Sequence, residues 1–370
     1  MKVLITGGAG FIGRHLQKKL LTRGVEIVIL DNFLTNIHGH NPILDFPSDV
    51  QVIKDDILNI DLYNDQLSDV EWIFHLAAET GTGESMYRVA QYAQTNILGT
   101  AKIIDFFATA NPDAGMTLAS SRSVYGEGEY HCCHGHISFP KQTKTPFFVK
   151  LPLCECGEPL MSRPTSETAQ INPASIYASS KYSQETLLTL SHFHRNNRLN
   201  IFRLQNVYGP GQSLKNPYTG ILAIFAKEII NNRSVSLFER GKPSRDFVHV
   251  DDVVSIMSSI YDQNVVLNVG TGRSVTVRQV AEEICKYYGK ELSQIQETDL
   301  KREGDIFTNY ASTTELANYF PVNKMKNFST GVIDFLDAAM ADQLYGFSGY
   351  ENSINELRDN NLLHSADSYD

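Results

Sequence analysis

Tyr177 and Lys181 stand four residues apart in Tyr177-Ala-Ser-Ser-Lys181, at the start of a helical stretch. Four residues make about one helical turn, so both side chains emerge on one face. An ammonium beside a phenol favours the phenolate and draws its pKa from about 10 toward neutrality, which makes the tyrosine usable as a general base. The same spacing also occurs on ordinary solvated helix faces. What sets this pair apart is Ser121, a hydroxyl at the end of a predicted strand in Ser120-Ser121-Arg122-Ser123-Val124-Tyr125-Gly126.

A second constellation lies at the start of the chain, where Gly7, Gly10 and Gly13 fall in GGAGFIG between a predicted strand and a predicted helix. Such glycines allow a tight turn, close approach of backbone to a pyrophosphate, and close helix packing, with the phosphates on the positive helix end. Asp31 closes the next strand about 20 residues on, where a carboxylate accepts from ribose hydroxyls and repels a 2′-phosphate. The pattern predicts a dinucleotide cofactor, NAD in preference to NADP.

Cysteines form a third group. Four of five (Cys132, Cys133, Cys154, Cys156) crowd into a segment that also holds His131, His134 and His136, while Cys285 stands alone on a helical stripe and reads as a core residue. Soft ligands in two short clusters could hold a tetrahedral zinc ion. Neighbouring Cys132 and Cys133 would need a strained turn to bind together, and reduced, metal-free thiols are the alternative. His75 and His249 lie in apolar strands, and His75 reads as a core histidine; Asp251 and Asp252 are expected to cap the next helix.

The elements that must position these residues alternate. Strand-like runs at 2–6, 25–30, 50–53, 72–76, 116–120 and 200–204 are separated by helical patterns, notably 86–110 and 178–193. This predicts an α/β, Rossmann-type, doubly wound parallel sheet with a smaller mixed α/β C-terminal lobe. We expect a cofactor domain over 1–205, with 247–272 returning to it and a cysteine-rich insert at 127–170. A substrate lobe follows from 206–246 and 273–340, then an acidic, loosely docked tail over 341–370.

Composition excludes several classes. With 370 residues, 42% apolar and 20% charged, the chain can bury a large core. A net charge of -10 argues against a nucleic-acid footprint. No apolar run reaches a membrane span and the first residues enter a glycine turn too early for a signal peptide, so a soluble cytoplasmic protein is expected.

Taken in order, these segments resemble the extended short-chain dehydrogenases, the family of nucleotide-sugar epimerases and dehydratases. The resemblance is carried by GGAGFIG, Asp56-Ile57, His75-Leu-Ala-Ala78, Asn96-Ile-Leu-Gly-Thr100, Ser120 to Gly126, Tyr177 to Lys181, Arg203-Leu-Gln-Asn206-Val-Tyr-Gly-Pro210 and Arg245-Asp-Phe-Val-His-Val-Asp-Asp252. It implies Ser121, Tyr177 and Lys181 as the catalytic triad. For the cofactor it implies Gly7, Gly10, Phe11, Ile12, Gly13, Asp31, Asn32, Asp56, Ile57, Leu76, Ala77, Ala78 and Asn96 together with Tyr177 and Lys181. Thr82, Ser85, Ser123, Asn206, Arg245 and Arg302 are implied at a nucleotide-sugar substrate.

Arg122 and Ser123 stand where the related dehydratases carry an Asp-Glu pair, which leaves 4-epimerisation. The segments 79–87, 124–130 and 212–220 further resemble 4-epimerases of dTDP-L-rhamnose; UDP-hexose epimerisation, 4-keto-sugar reduction or a non-catalytic NAD-binding role are the alternatives. A homodimer through 86–110 and 178–193 is implied as well.

Overall fold

Strand formation follows from β-branched runs such as Val-Leu-Ile and Ile-Val-Ile-Leu, which fit a sheet covered on both faces. The computed structural model describes residues 1–39, 46–141, 147, 150–193, 198–213, 220–261, 263–341 and 350–365. Its main sheet has seven parallel strands: β1 (Lys2–Thr6), β2 (Glu26–Asp31), β3 (Val50–Lys54), β4 (Trp72–His75), β5 (Gly115–Ser121), β6 (Leu199–Leu204) and β7 (Val266–Val269), in the order β7-β6-β5-β4-β1-β2-β3. Strand order reverses between β1 and β4, which opens a crevice at the carboxyl ends of the strands.

Alternate residues of each strand feed two cores. Val3, Ile5, Ile27 and Ile29 pack with Leu16 and Leu20 of helix α1 (Phe11–Leu21) and with Val253 and Met257. Leu4, Val28 and Leu30 face the other way, onto Ile103, Phe106, Phe107 and Leu188. The six predicted strands all lie in this sheet; the seventh, β7, is expected from the sequence only as part of a segment, 247–272, returning to the cofactor domain.

The expected single helix over 86–110 is broken. Short turns at Thr82–Ser85 and Val89–Tyr92 lead into a π-helical stretch, Ala93–Leu98, before α2 (Gly99–Ala110). Helix α3 (Ile176–Phe193) carries Tyr177 and Lys181.

Past β6 the elements shorten into a lobe with its own core of Leu222, Phe225, Val235, Phe247, Val280, Ile284, Cys285 and Phe335. Cys285 is fully buried there, as expected. His249, not Asp251 or Asp252, caps the helix Val250–Ser259, its Nδ1 accepting from the Asp251 N–H at 3.2 Å.

The described part of the acidic tail is folded rather than loose. It forms the helix Tyr350–Asp359 and a strand, Leu363–Ser365, antiparallel to Leu300–Arg302, and buries Leu357. Asp342, Asp367 and Asp370 lie outside the described residues. Among those described, no helix is long and apolar enough to cross a membrane.

Candidate active site

The site assembles at the crevice. Ser121 ends β5, and its Oγ accepts from the Ser123 N–H at 3.2 Å and the Ser123 hydroxyl at 2.9 Å. Tyr177 and Lys181 leave α3 one turn apart and pack behind this strand end. Lys181 Nζ donates to the Ala119 carbonyl at 2.9 Å and is almost wholly buried. Burial pushes Lys181 down to about 7, against the Glu185 carboxylate, which raises it. Glu185 is fixed in turn by Arg203 at 2.8 Å and by Ser120.

The electrostatics of the phenol differ from the expectation. Burial holds Tyr177 above its ordinary value, while a hydrogen bond with Ser121 and the Arg122 charge pull it down. Arg122 is thus a cation that bears on the phenol, while the Lys181 ammonium donates to the Ala119 carbonyl.

Along the sheet's crevice lie the residues expected at a dinucleotide. Gly7 has φ +66°, and a Cβ there would stand 2.7 Å from the Ala77 nitrogen, so only glycine lets the turn pass this close to the end of β4. Helix α1 has Gly10 at its N-cap, so no side chain caps the first N–H groups, those of Phe11, Ile12 and Gly13. Asp31 accepts from the N–H groups of Ala9 at 3.0 Å and Phe33 at 2.8 Å, and His38 Nε2 lies 3.6 Å from it. Beyond it Asn32 donates to Asp56 at 2.9 Å, and Asp56 caps the turn that buries Ile57. Leu76, Ala77 and Ala78 are half-buried at the tip of β4.

Asn96 lies behind the loop that follows β4. It is fully buried, accepting from the Glu79 N–H at 2.8 Å and donating to the Glu79 carbonyl and to Ser180. Its amide braces the loop after β4 against α3.

Opposite the crevice is a cavity of about 360 Å³. Tyr177 lines it with Thr82, Asn206, Arg245 and Arg302, whereas Ser85 bonds the Thr82 carbonyl and Ser123 stays with Ser121, both off the wall. Arg245 donates to the carbonyls of Ser244, Ile306 and Phe307 at 2.6 to 3.0 Å, and Arg302 grips Asp305 with two bonds at 2.8 and 3.0 Å. Arg122 bonds Asn206 at 3.0 Å, and burial beside Arg245 pushes its pKa down to about 9.

Sequence reasoning did not single out Glu239, Asp305, Ile354 or Leu357, which also line the cavity. Glu239 is pushed up to about 7 by burial. Arg122 carried a signal in its place next to Ser121; the tail residues carried none.

His75 is a core histidine, as read. It is fully buried between Thr6 and Thr100, and burial lowers it to about 3. In the insert the candidate ligand set changes: Cys132, Cys154 and Cys156 converge with His136, while Cys133 points to solvent. Adjacent residues in a tight turn cannot both point inward.

The sequence matches the NAD dependent epimerase/dehydratase family over residues 3–150 and 153–270. The chain belongs to this family. Within it, a dTDP-L-rhamnose 4-epimerase of Burkholderia thailandensis is 34% identical over 316 residues, 82% of this chain and 85% of that one. A putative UDP-glucose 4-epimerase of Methanocaldococcus jannaschii is 30% identical, over 83% and 88%. A solved UDP-glucuronic acid 4-epimerase from Bacillus cereus, in complex with UDP-glucuronic acid and NAD, superposes with a TM-score of 0.75 at 25% identity, over 93% of this chain and all of that one. The residues present fit the family's cofactor: the close glycine turn, the uncapped helix start and the Asp31 carboxylate match pyrophosphate and ribose.

Proposed function

We propose that the protein binds NAD and interconverts nucleotide sugars differing at carbon 4, with dTDP-L-rhamnose and dTDP-6-deoxy-L-talose as the preferred pair. One observation carries the reading: Tyr177, hydrogen-bonded to Ser121 at the carboxyl end of β5, also lines the cavity with Arg122, Asn206, Arg245 and Arg302. Residues 1–205 with 247–272 hold the cofactor in this reading, and 206–246 with 273–340 hold the sugar nucleotide.

Bound NAD supplies the acceptor, and later the donor, of the carbon-4 hydride. Tyr177, as phenolate, takes the carbon-4 hydroxyl proton while Ser121 donates to the same oxygen, so the C–O bond becomes C=O as hydride departs. Arg122, Arg245 and Arg302 hold the diphosphate by charge-assisted bonds. Once the keto sugar has presented its other face, Tyr177 would give the proton back to the same oxygen. No external reductant is consumed.

Relatives named for UDP-glucose favour a second reading, UDP-hexose epimerisation. The experiment that separates them incubates the enzyme with dTDP-, UDP-, GDP- and CDP-sugars without reductant and resolves products by proton NMR. Turnover of dTDP-L-rhamnose sustains the first reading, turnover of UDP-hexoses alone the second, and no 4-epimer from any sugar removes both.

A homodimer is part of the proposal. Val89, Leu98, Tyr182 and Leu190 are exposed apolar residues on the two expected helical regions. Sedimentation as a monomer at micromolar concentration would count against it.

A further inference from the structure

The insert between Gly126 and Tyr177 has no part in the chemistry above, yet its two tips are built alike. Tyr130–His131 pairs antiparallel with Ile137–Ser138, and Leu153 bridges Pro159, so each pairing closes over a five-residue tip: Cys132-Cys-His-Gly-His136 and Cys154-Glu-Cys-Gly-Glu158. In both, the first cysteine N–H bonds the fifth residue's carbonyl, at 3.2 and 2.8 Å. In both, the glycine N–H bonds the first cysteine's carbonyl, at 3.0 and 2.8 Å. Gly135 and Gly157 have φ of +79° and +87°, which lets the chain reverse and leaves the side chains before them facing one another.

What the tips bring together is a ligand set. Cys132 Sγ, His136 Nδ1, Cys154 Sγ and Cys156 Sγ are contributed by both tips, and the four ligand atoms lie within 4.8 Å of one another. Cys132 and Cys156 sulfurs are 3.8 Å apart, and Cys154 Sγ is 3.7 Å from His136 Nδ1. A tetrahedral zinc with Zn–S of about 2.3 Å has S···S edges of about 3.8 Å, far from the roughly 2.05 Å of a disulfide.

We propose that these four residues bind a structural zinc ion that clamps the two tips of the insert. Three thiolates and one neutral imidazole complete the tetrahedron, so no open position remains for a water or a substrate. The clamp bears on the substrate wall through short links. Tyr130 donates to Glu127 at 3.1 Å; Glu127 accepts from the Phe307 and Thr308 N–H groups at 2.8 and 3.2 Å; and the carbonyls of Ile306 and Phe307 hold Arg245.

Metal content decides the matter independently of any activity. Full-length protein, purified under reductant without chelator, is analysed for metals by plasma mass spectrometry and for zinc released by a mercurial titrant. About one zinc per chain is expected, falling below one-tenth in Cys154→Ser, Cys156→Ser and His136→Ala, and unchanged in Cys133→Ser and Cys285→Ser. Less than one-tenth equivalent in the unaltered protein, even after incubation with zinc, overturns the proposal. So does retention of zinc in His136→Ala with loss in His134→Ala, since His134 Nδ1 lies 3.8 Å from Cys156 Sγ. Because the titration uses the unaltered chain, misfolding of a variant does not blur the outcome. A further arm rests on the proposed function: stripped enzyme should show KM for the nucleotide sugar raised severalfold with kcat less affected. Failure of that arm with zinc present would count against the link to Arg245 and leave the metal site standing.

Discussion

On the cofactor side of the site, candidate residues lie at or just beyond a strand's end: Gly7 after β1, Asp31 closing β2, Leu76 to Ala78 after β4, Ser121 closing β5. On the substrate side they come from Thr82 to Leu357, and their polar heads are held by loop carbonyls and by one another. A strand end is fixed by the ladder of the whole sheet, so one substitution there changes chemistry and leaves geometry alone. An arginine held by three carbonyls of two segments is only as well placed as those segments, and its loss disturbs position and charge together.

Replacing Tyr177, which helix α3 carries between the two regions, by Phe should have the largest effect. Turnover should fall by about 100- to 10,000-fold with NAD affinity and melting unchanged; turnover within a few-fold of the parent would mean that another group takes the proton. Arg122→Met straddles the regimes. Losing a charge-assisted bond of about 1.5 to 3 kcal/mol should raise KM by roughly 10- to 150-fold. Because Arg122 pulls the phenol down, the variant's pH–rate profile should also rise at higher pH than the parent's. An unmoved profile would show that Arg122 does not act on Tyr177.

The rigid side can be tested without substrate. His75, held at about 3 by burial, binds its proton in the unfolded chain below about pH 6.5, and that difference favours unfolding. Stability should therefore be full above pH 6.5 and decline as pH falls toward 3, by up to about 1.4 kcal/mol per unit. Urea midpoints at pH 7.5 and 5.5 read this, and His75→Asn should flatten the decline; a parent curve already flat would mean the ring stays charged in the fold. The smallest effect is expected at Asp31. Its change to Ala removes about 1 kcal/mol of repulsion toward a 2′-phosphate at water-like screening, so the NADP-to-NAD affinity ratio should rise about fivefold. No change in that ratio would place the ribose elsewhere.

Legibility in the sequence follows the same divide. The glycine turn, Asp31 and the Tyr177–Lys181 pair are local, each depending on spacing within one short segment, whereas the approach of Ser121 to that pair is made by the packing of α3 on β5. Glu239, Asp305 and Leu357 are brought to the cavity by packing between segments far apart in the chain, which no periodicity encodes. Two errors have a local cause. The π turn at Ala93–Leu98 interrupts a helical pattern that looks continuous, and Cys133 is excluded by its neighbour's orientation, with His136 in its place.

The tail helix has a consequence for the order of events during synthesis. Tyr177 and Leu357 line one cavity, yet 180 positions of chain separate them. At roughly 5 to 20 residues per second, the ribosome needs about 9 to 36 s to pass from one to the other. For that interval the emerging polypeptide owns Tyr177 and its glycine turn but lacks a wall of the cavity that Tyr177 lines. Ribosome-stalled chains ending before Tyr350 should therefore retain NAD while failing to retain nucleotide sugar, and equal retention of both would show that the last helix is dispensable for the pocket.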